Sequence, residues 1–249
     1  MGLIGGAVAY HLLRRLGRRD ADAAEQSAHH GRSRLEAVMG KDVWWEVRGK
    51  SVIEIGCGTG EDAIEVARHG AARVVGIDIR ESVLRQARQR AQLNGVSDRC
   101  EFATTINGRA DLIISIDAFE HFDDPAAVLE SMARHLEPGG AVLVVFGPPW
   151  FHPYGGHLFS VFPWAHLTFT EEALVRWRSD FKSDGARRFR EVEGGLNQMT
   201  IGRFLRLVSR SPFVMASFEA IPIRRLRPLH NRLTRELFTA VVRCRLVLR

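Results

Sequence analysis

The sequence predicts an α/β domain, a largely parallel sheet with helices on both faces. Three observations carry the prediction. From Ser51 onward, short Val- and Ile-rich runs alternate with helical patterns. The connections between them are short. A glycine-rich turn, "GCGTG", joins the first such run to the first helical stretch, beginning at Gly56.

The expected strands are Ser51–Ile55, Arg73–Asp78, Cys100–Thr104, Asp111–Asp117 and Ala141–Phe146, each too short for a helix. Helices are expected over Glu61–His69, Glu81–Asn94 and Pro125–Leu136, where residues such as Val83, Leu84, Ala87 and Ala91 recur at helical spacing. Gly70, Gly95 and Pro138-Gly139-Gly140 supply the stops. After Phe146 the alternation breaks. The stretch "GPPWFHPYGGHLFSVFPWAHLTF" reads as a loop much longer than a usual connection, and such loops tend to cover functional sites. Helices resume at Thr170–Asp184 and Thr200–Ser211, each opened by a threonine cap. A strand follows at Phe213–Ile221. In the closing "AVVRCRLVLR", Val242, Cys244, Leu246 and Leu248 alternate with Arg243, Arg245, Val247 and Arg249, which predicts a strand with one buried face.

The chain has 249 residues, 45% apolar and 26% charged, a globular composition for one large domain with an insertion. No stretch reaches the roughly 18 uninterrupted apolar residues of a membrane span. The opening "MGLIGGAVAYHLL" lacks a basic leader and a cleavage site, so it reads as an amphipathic helix, with peripheral membrane contact as the lesser reading. Cys57, Cys100 and Cys244 have no paired spacing, which fits a reducing cytoplasm. Net charge is +6 but uneven: from Ala173 to the end there are 17 Lys and Arg against 6 Asp and Glu. That asymmetry fits an anionic acceptor, an anionic membrane surface or nucleic acid, and equally a solvated arginine-rich face.

A strand ending in a glycine turn that opens a helix presents backbone N–H groups and a positive helix end to a closely approaching ligand. Dinucleotides and S-adenosylmethionine are both bound this way. The dinucleotide fingerprint would place glycine at position 61, where this chain has Glu61. Glu54, Glu61 and Asp62 instead make an acidic neighbourhood, suited to a methionine ammonium and a sulfonium. Asp78, at the tip of the second strand, can accept the hydroxyl hydrogens of a ribose, and Ile79 can lie against an adenine face. Asp78 can also cap the helix that follows.

The series "VIEIGCGTG", "VVGIDI", "ADLIISIDAFEHFDDP" and "LEPGGAVLVVF", spanning roughly residues 50–147, resembles the class I S-adenosylmethionine-dependent methyltransferases. The resemblance implies a Rossmann-like, doubly wound, seven-stranded sheet with an antiparallel last strand, and S-adenosyl-L-methionine as cofactor. It places Glu54 and the turn Gly56, Cys57, Gly58 and Gly60 around the methionine moiety. Asp78 and Ile79 fall beside the adenosine, and Asp117, Ala118 and Phe119 flank the methyl-bearing sulfur. The acidic residue that often reads the adenine amino group is replaced by "ATTING", where Thr104, Thr105 or backbone groups would substitute. The stretches "GPPWFHPYGGHLF", "FPWAHLTFTEEAL", "GGLNQMT" and "RELFTAVVRCRLVLR" are similar to bacterial methyltransferases of glycan-modifying gene sets.

Methyl transfer from a sulfonium is an in-line displacement that depends chiefly on positioning. A hydroxyl acceptor must also lose a proton, and histidine is the side chain best placed to take it near neutral pH. His157, beside Gly155-Gly156, ranks first among the histidines of the long loop; His121, after the fourth strand, and His152 follow, with His166 also in reach. The spacings of His152, His157 and His166 do not match a helical zinc pair, so no metal is expected. Trp150, Phe151, Tyr154, Phe159, Phe162 and Trp164 form either an aromatic wall for the acceptor or the small core of the loop.

The expected organisation is an N-terminal helical segment over residues 1–49, a cofactor-binding core over 50–147, a lid or acceptor insertion over 148–199, and completion of the sheet over 200–249. The expected function is methyl transfer from S-adenosylmethionine to a small-molecule or glycan acceptor, anionic in character, with O-methylation favoured. The alternatives are a noncatalytic scaffold of the same fold, a nucleic-acid methyltransferase and a dehydrogenase. No nucleic-acid module accompanies the arginines, which weighs against nucleic acid. The expected location is cytoplasmic, with peripheral contact at the inner membrane face.

Overall fold

The computed structural model describes residues 2–16, 34–192 and 194–249. The expected N-terminal helical segment is therefore described only outside residues 17–33. Seven strands make one sheet: β1 (Ser51–Ile55), β2 (Arg73–Ile77), β3 (Cys100–Ala103), β4 (Ala110–Ile116), β5 (Leu136–Phe146), β6 (Phe213–Pro222) and β7 (Thr239–Leu248). Their order is β3-β2-β1-β4-β5-β7-β6. The first five are parallel, and β7 runs antiparallel to both β5 and β6. This is the doubly wound sheet with a reversed last strand that the motif series implied. Because β7 alone is reversed, β6 points the same way as β1, β4 and β5. The segments leaving all four strands therefore emerge at one edge.

Both faces of the sheet are buried, which is why its parallel strands read as continuous apolar runs. Val52, Val74, Leu112 and Ile114 pack under α2 (Arg34–Met39), α3 (Val43–Val47), α4 (Glu61–Arg68) and α5 (Glu81–Leu93). Ile53, Val75, Ile113 and Val144 pack under α6 (Pro125–His135) and α9 (Ile201–Ser209). α6 starts where its local chemistry dictates: Asp124 accepts the N–H groups of Ala126 and Ala127, and Pro125 occupies the first turn. Within β5 the sequence and the structure part. Ala141 was the expected start, but pairing begins with Ala110 opposite Leu136 and then jumps to Leu112 opposite Ala141, so Glu137–Gly140 are accommodated as a bulge. In β7 the predicted alternation holds, with Val242, Cys244 and Leu246 all buried.

A third apolar cluster lies outside the sheet. It joins Trp150, Phe159, Phe169, Leu174, Trp177 and Phe189 from residues 148–199 to Ala9 and Leu13 of α1 (Gly6–Leu16). α1 thus belongs with the inserted segment. Leu3 and Ile4 N–H groups donate to the Thr168 carbonyl, and the Tyr10 hydroxyl donates to Asp180. The insertion itself contains the one-turn α7 (Ala165–Thr168) and α8 (Glu171–Arg178). α8 ends at Arg178, short of the expected Asp184, and the two residues are joined by a two-pronged bond at 2.7 and 2.6 Å. The aromatic residues Trp150 and Phe159 are core rather than wall, at 3% and 2% exposure, whereas Tyr154 is half open at 51%. Among the described residues no helix is long and apolar enough to cross a membrane.

Candidate functional site

The edge at which β1, β2, β4 and β5 end carries the site. β1 leads into the turn Gly56–Gly60, whose three glycines all have positive φ, at 84°, 51° and 77°. A Cβ on Gly56 would sit 2.5 Å from the Cβ of Ala118, and one on Gly60 would sit 2.7 Å from the Phe102 ring and 2.9 Å from Ala87. These two glycines are required by packing and by backbone conformation together. Gly58 differs: a Cβ there would meet nothing within 4 Å, so its backbone faces open space from which a ligand can approach.

Acidic groups ring that space. Glu54 is 1% exposed, and its Oε2 has no hydrogen-bond partner among the described residues. Burial, and then the neighbouring Asp62, push its carboxyl well above the usual carboxylate range, while Arg34 works in the opposite direction. Asp62 is also buried and accepts from Arg34 Nη2 at 2.6 Å and Nε at 3.1 Å; Arg34 Nη1 donates to Asp117 at 3.3 Å. Asp62 and Asp117 thus share one guanidinium, whose charge also acts on Glu54. A ligand bearing an ammonium, a sulfonium and a carboxylate fits that set: the cations offset the acids, and Arg34 can take the carboxylate.

Asp78 is 7% exposed and accepts the Gly58 N–H at 3.0 Å, which ties the second strand's tip to the glycine turn. It also accepts the Arg80 N–H at 2.9 Å and the Arg80 side chain at 3.1 and 3.3 Å. A ribose must therefore compete with the half-exposed Arg80 guanidinium for this carboxylate. The capping alternative for Asp78 is corrected: the residue at the N-cap of α5 is Arg80, in extended backbone and with no side-chain cap. Ile79 stands open beside it, at 89% exposure.

Two expected cofactor contacts are limited to backbone. The Cys57 side chain is buried in the first core cluster, while its N–H donates to the Ile77 carbonyl at 3.0 Å. Phe119 is fully buried among Phe122, Phe146 and Phe204, so its ring serves the core and not the sulfur. Asp117 adopts a left-handed φ of 48°, a strained conformation for a non-glycine residue, and Ala118 packs against Gly56.

Beyond Asp117 lies the second half of the site. His121 and His157 meet edge to face with ring centroids 5.2 Å apart. His121 Nδ1 lies 2.8 Å from the Gly195 carbonyl, which can only accept, so Nδ1 carries the proton and Nε2 is left as the basic nitrogen of the neutral ring. Glu120 is 2% exposed; its Oε1 accepts the Gly147 N–H at 3.1 Å, and Oε2 has no hydrogen-bond partner among the described residues. Burial, and then Asp117, raise the Glu120 carboxyl to about 7, with His157 opposing. One ligand atom from each of Glu120, His121 and His157 lies within 4.8 Å of the others, a donor set that could also hold a divalent cation.

The other loop histidines stand apart from this cluster. His166 is buried in a local network: Nε2–H donates to the Trp150 carbonyl at 2.7 Å, and Nδ1 lies 2.8 Å from the Ser160 hydroxyl. His152 Nδ1 accepts the Tyr154 N–H at 2.9 Å. Burial holds both rings neutral, lowering each to about 4. Of the three expected catalytic histidines, the structure brings His121 and His157 together and places His152 in a tight turn.

A family model for the methyltransferase domain matches residues 25–193, more than half of the chain. The chain belongs to the methyltransferase domain family. It is 38% identical over 104 residues to a ubiquinone biosynthesis O-methyltransferase of Neisseria meningitidis serogroup C, covering 39% of this chain and 44% of the relative. The chain thus spans less than half the length of the curated relatives it matches. Among solved structures it resembles an S-adenosylmethionine-dependent methyltransferase from Mesorhizobium loti, with a TM-score of 0.57, 19% identity and coverage of 87% of this chain and 98% of that one. It also resembles magnesium protoporphyrin IX methyltransferase from Synechocystis PCC 6803, crystallised with bound SAH, with a TM-score of 0.55, 16% identity and coverage of 97% and 100%. Both structural likenesses are likenesses of fold.

Within this methyltransferase domain, sequence reasoning missed Arg34, Glu120 and Asn197. Glu120 lies inside a quoted motif, next to His121, but its burial is a tertiary fact. Asn197 Nδ2 donates to the Phe119 and Phe122 carbonyls, both at 2.8 Å, while its N–H donates to the Glu120 carbonyl at 2.9 Å. It fastens the returning end of the insertion to the loop after β4.

Proposed function

We propose that this chain transfers a methyl group from S-adenosylmethionine to a hydroxyl of a small-molecule or glycan acceptor, in the cytoplasm, with residues 148–199 covering the acceptor. The single observation that carries the reading is the convergence of His121, His157 and buried Glu120 just after Asp117, at the strand edge that carries the glycine turn. The Neisseria relative is an O-methyltransferase by name, which supports the choice of atom. The excess of arginine after Ala173 supports an anionic acceptor.

S-adenosylmethionine supplies an electrophilic methyl carbon on a positively charged sulfur. The chain supplies position and a proton sink. Glu54, Asp62 and Arg34 hold the amino-acid end, and Asp78 holds the ribose. Asp117, Ala118 and the Phe119 backbone fix the line along which an acceptor oxygen approaches. His157 takes the hydroxyl proton, and His121, its tautomer fixed by the Gly195 carbonyl, and Glu120 share the charge that results.

Calorimetric titration with S-adenosylmethionine and S-adenosylhomocysteine, with NAD as control, tests the cofactor half. Micromolar binding of the sulfur compounds and none of NAD is expected; their failure to bind the folded protein would leave a scaffold. Labelled methyl transfer to hydroxylated small molecules and glycans tests the acceptor half. Labelling of nitrogen or nucleic acid in place of oxygen would overturn it.

A further inference from the structure

Several arginines of the basic C-terminal region have partners. Arg243 pairs with Glu219, Arg245 with Glu46 and Arg178 with Asp184, and Arg249 donates to the carbonyls of Ser209 and Ser211. The connection between β6 and β7 gathers arginines without one. Its residues 223–238 hold Arg224, Arg225, Arg227, Arg232 and Arg235, and none of the five has a charged or hydrogen-bonded side-chain partner among the described residues. Its one acidic residue, Glu236, is already engaged: its two oxygens accept the N–H groups of Ile201 and Gly202 at the start of α9.

The same connection exposes three large apolar side chains, Leu229 at 54%, Leu233 at 93% and Leu237 at 37%. They are held out by ordered backbone. The Ile223 N–H donates to the Phe238 carbonyl at 2.8 Å and closes the base; a 3₁₀ turn, Arg224–Leu229, and the one-turn α10 (Arg235–Phe238) form its sides. Asn231 Oδ1 accepts the Leu233 N–H at 2.8 Å, which fixes the tip. A merely solvated basic face has no use for leucines presented this way. Single-stranded nucleic acid would favour exposed aromatic residues for stacking, and the connection's one aromatic, Phe238, is not exposed. Unpaired arginines interleaved with exposed leucines are what an anionic bilayer interface takes up, charge at the headgroups and apolar tips at the acyl boundary.

We propose that the β6–β7 connection docks the protein on the anionic phospholipid surface of a bilayer. Since β6 runs parallel to β1, β4 and β5, the connection leaves the sheet at the edge that carries the glycine turn and the histidine pair. Phe146, from which the insertion departs, is level with Val242, itself paired with Ala220 near the start of the connection. Docking there brings the mouth of the site to the membrane, where an amphiphilic acceptor can be taken from the lipid phase.

The test is co-sedimentation of the full chain with phosphatidylglycerol-containing vesicles and with vesicles of phosphatidylcholine alone. Binding to the anionic vesicles only, and release at high salt, is expected. Combined substitution of Arg224, Arg225 and Arg227 by Gln should lower vesicle affinity by roughly 100-fold, at about 1 kcal/mol per arginine. Combined Leu229→Ser and Leu233→Ser, with charge unchanged, should lower it by roughly 100-fold. Both variants should keep the wild-type melting temperature and S-adenosylhomocysteine affinity, which separates this proposal from the methyl-transfer reading. Equal binding to both vesicle types, or binding indifferent to both variants, would overturn it, as would an oligonucleotide that displaces the vesicles and binds the leucine variant undiminished.

Discussion

His121 lies in the loop after β4 and His157 in a 3₁₀ turn of the inserted segment, yet their rings meet edge to face with centroids 5.2 Å apart. The Gly195 carbonyl fixes the first, and a left-handed backbone with φ 49° aims the second. A residue held in a sparsely populated conformation is there because its surroundings impose it, and here they impose a contact between two bases.

Replacing His157 should therefore separate chemistry from binding. His157→Asn, which tolerates a positive φ, should lower kcat by roughly 10²–10⁴ and leave S-adenosylhomocysteine affinity unchanged. A fully active variant would return His157 to a structural role. A chelator should not affect the wild type; activity lost to chelation and restored by a divalent cation would assign the cluster to metal.

Glu120 gives the cluster a signature in stability. Burial raises its carboxyl to about 7, so between the usual carboxylate value and 7 the folded chain binds a proton that the unfolded chain releases. Its stabilising effect is complete at acid pH and declines as pH rises through that window. Urea denaturation at pH 5 and pH 8 should show the wild type losing up to about 3 kcal/mol across the interval relative to Glu120→Gln. Parallel behaviour of the two proteins would show that Glu120 is ionised throughout.

At the adenosine end, Asp78→Ala removes a buried carboxylate that the Gly58 N–H also uses. Calorimetry should show S-adenosylhomocysteine binding weakened by about 1.5–3 kcal/mol. Arg80→Ala should strengthen it, because Arg80 competes with the ribose for the same oxygens.

Arg34 should behave oppositely to Arg80. Arg34→Ala leaves the buried Asp62 without its cation, so both the melting temperature and cofactor affinity should fall. Arg34→Lys, which restores charge without the two-pronged geometry, should recover stability more than affinity. Equal recovery of both would mean that Arg34 does not touch the cofactor.

The parallel half of the sheet was legible because each element announces itself locally, from the Val and Ile runs of β1 and β4 to the Asp124-Pro125 start of α6. The places of Glu54, the glycine turn and Asp78 at one sheet edge were legible for the same reason, since the strand ends that carry them bound an alternating pattern. Roles that depend on which way a side chain points were not. Cys57 and Phe119 sit inside the expected site by position, but packing turns both into the core. Among the histidines of the long loop the glycine pair favoured His157, but nothing local separated the other two; His166 is absorbed by Ser160 and the Trp150 carbonyl, and His152 by its own turn. Arg34 carries no local pattern, and Glu120 reads as one acid among several until burial singles it out.

Asn197 has a consequence for how the inserted segment could be moved between domains. Its amide grips two carbonyls of the loop after β4, and the Gly195 carbonyl sets the tautomer of His121. The insertion therefore arrives with its own alignment hardware. Grafted as a unit through Asn197, it would carry His157 and the means of registering it against His121; cut before Gly195, it would deliver the same histidine with nothing to hold its partner.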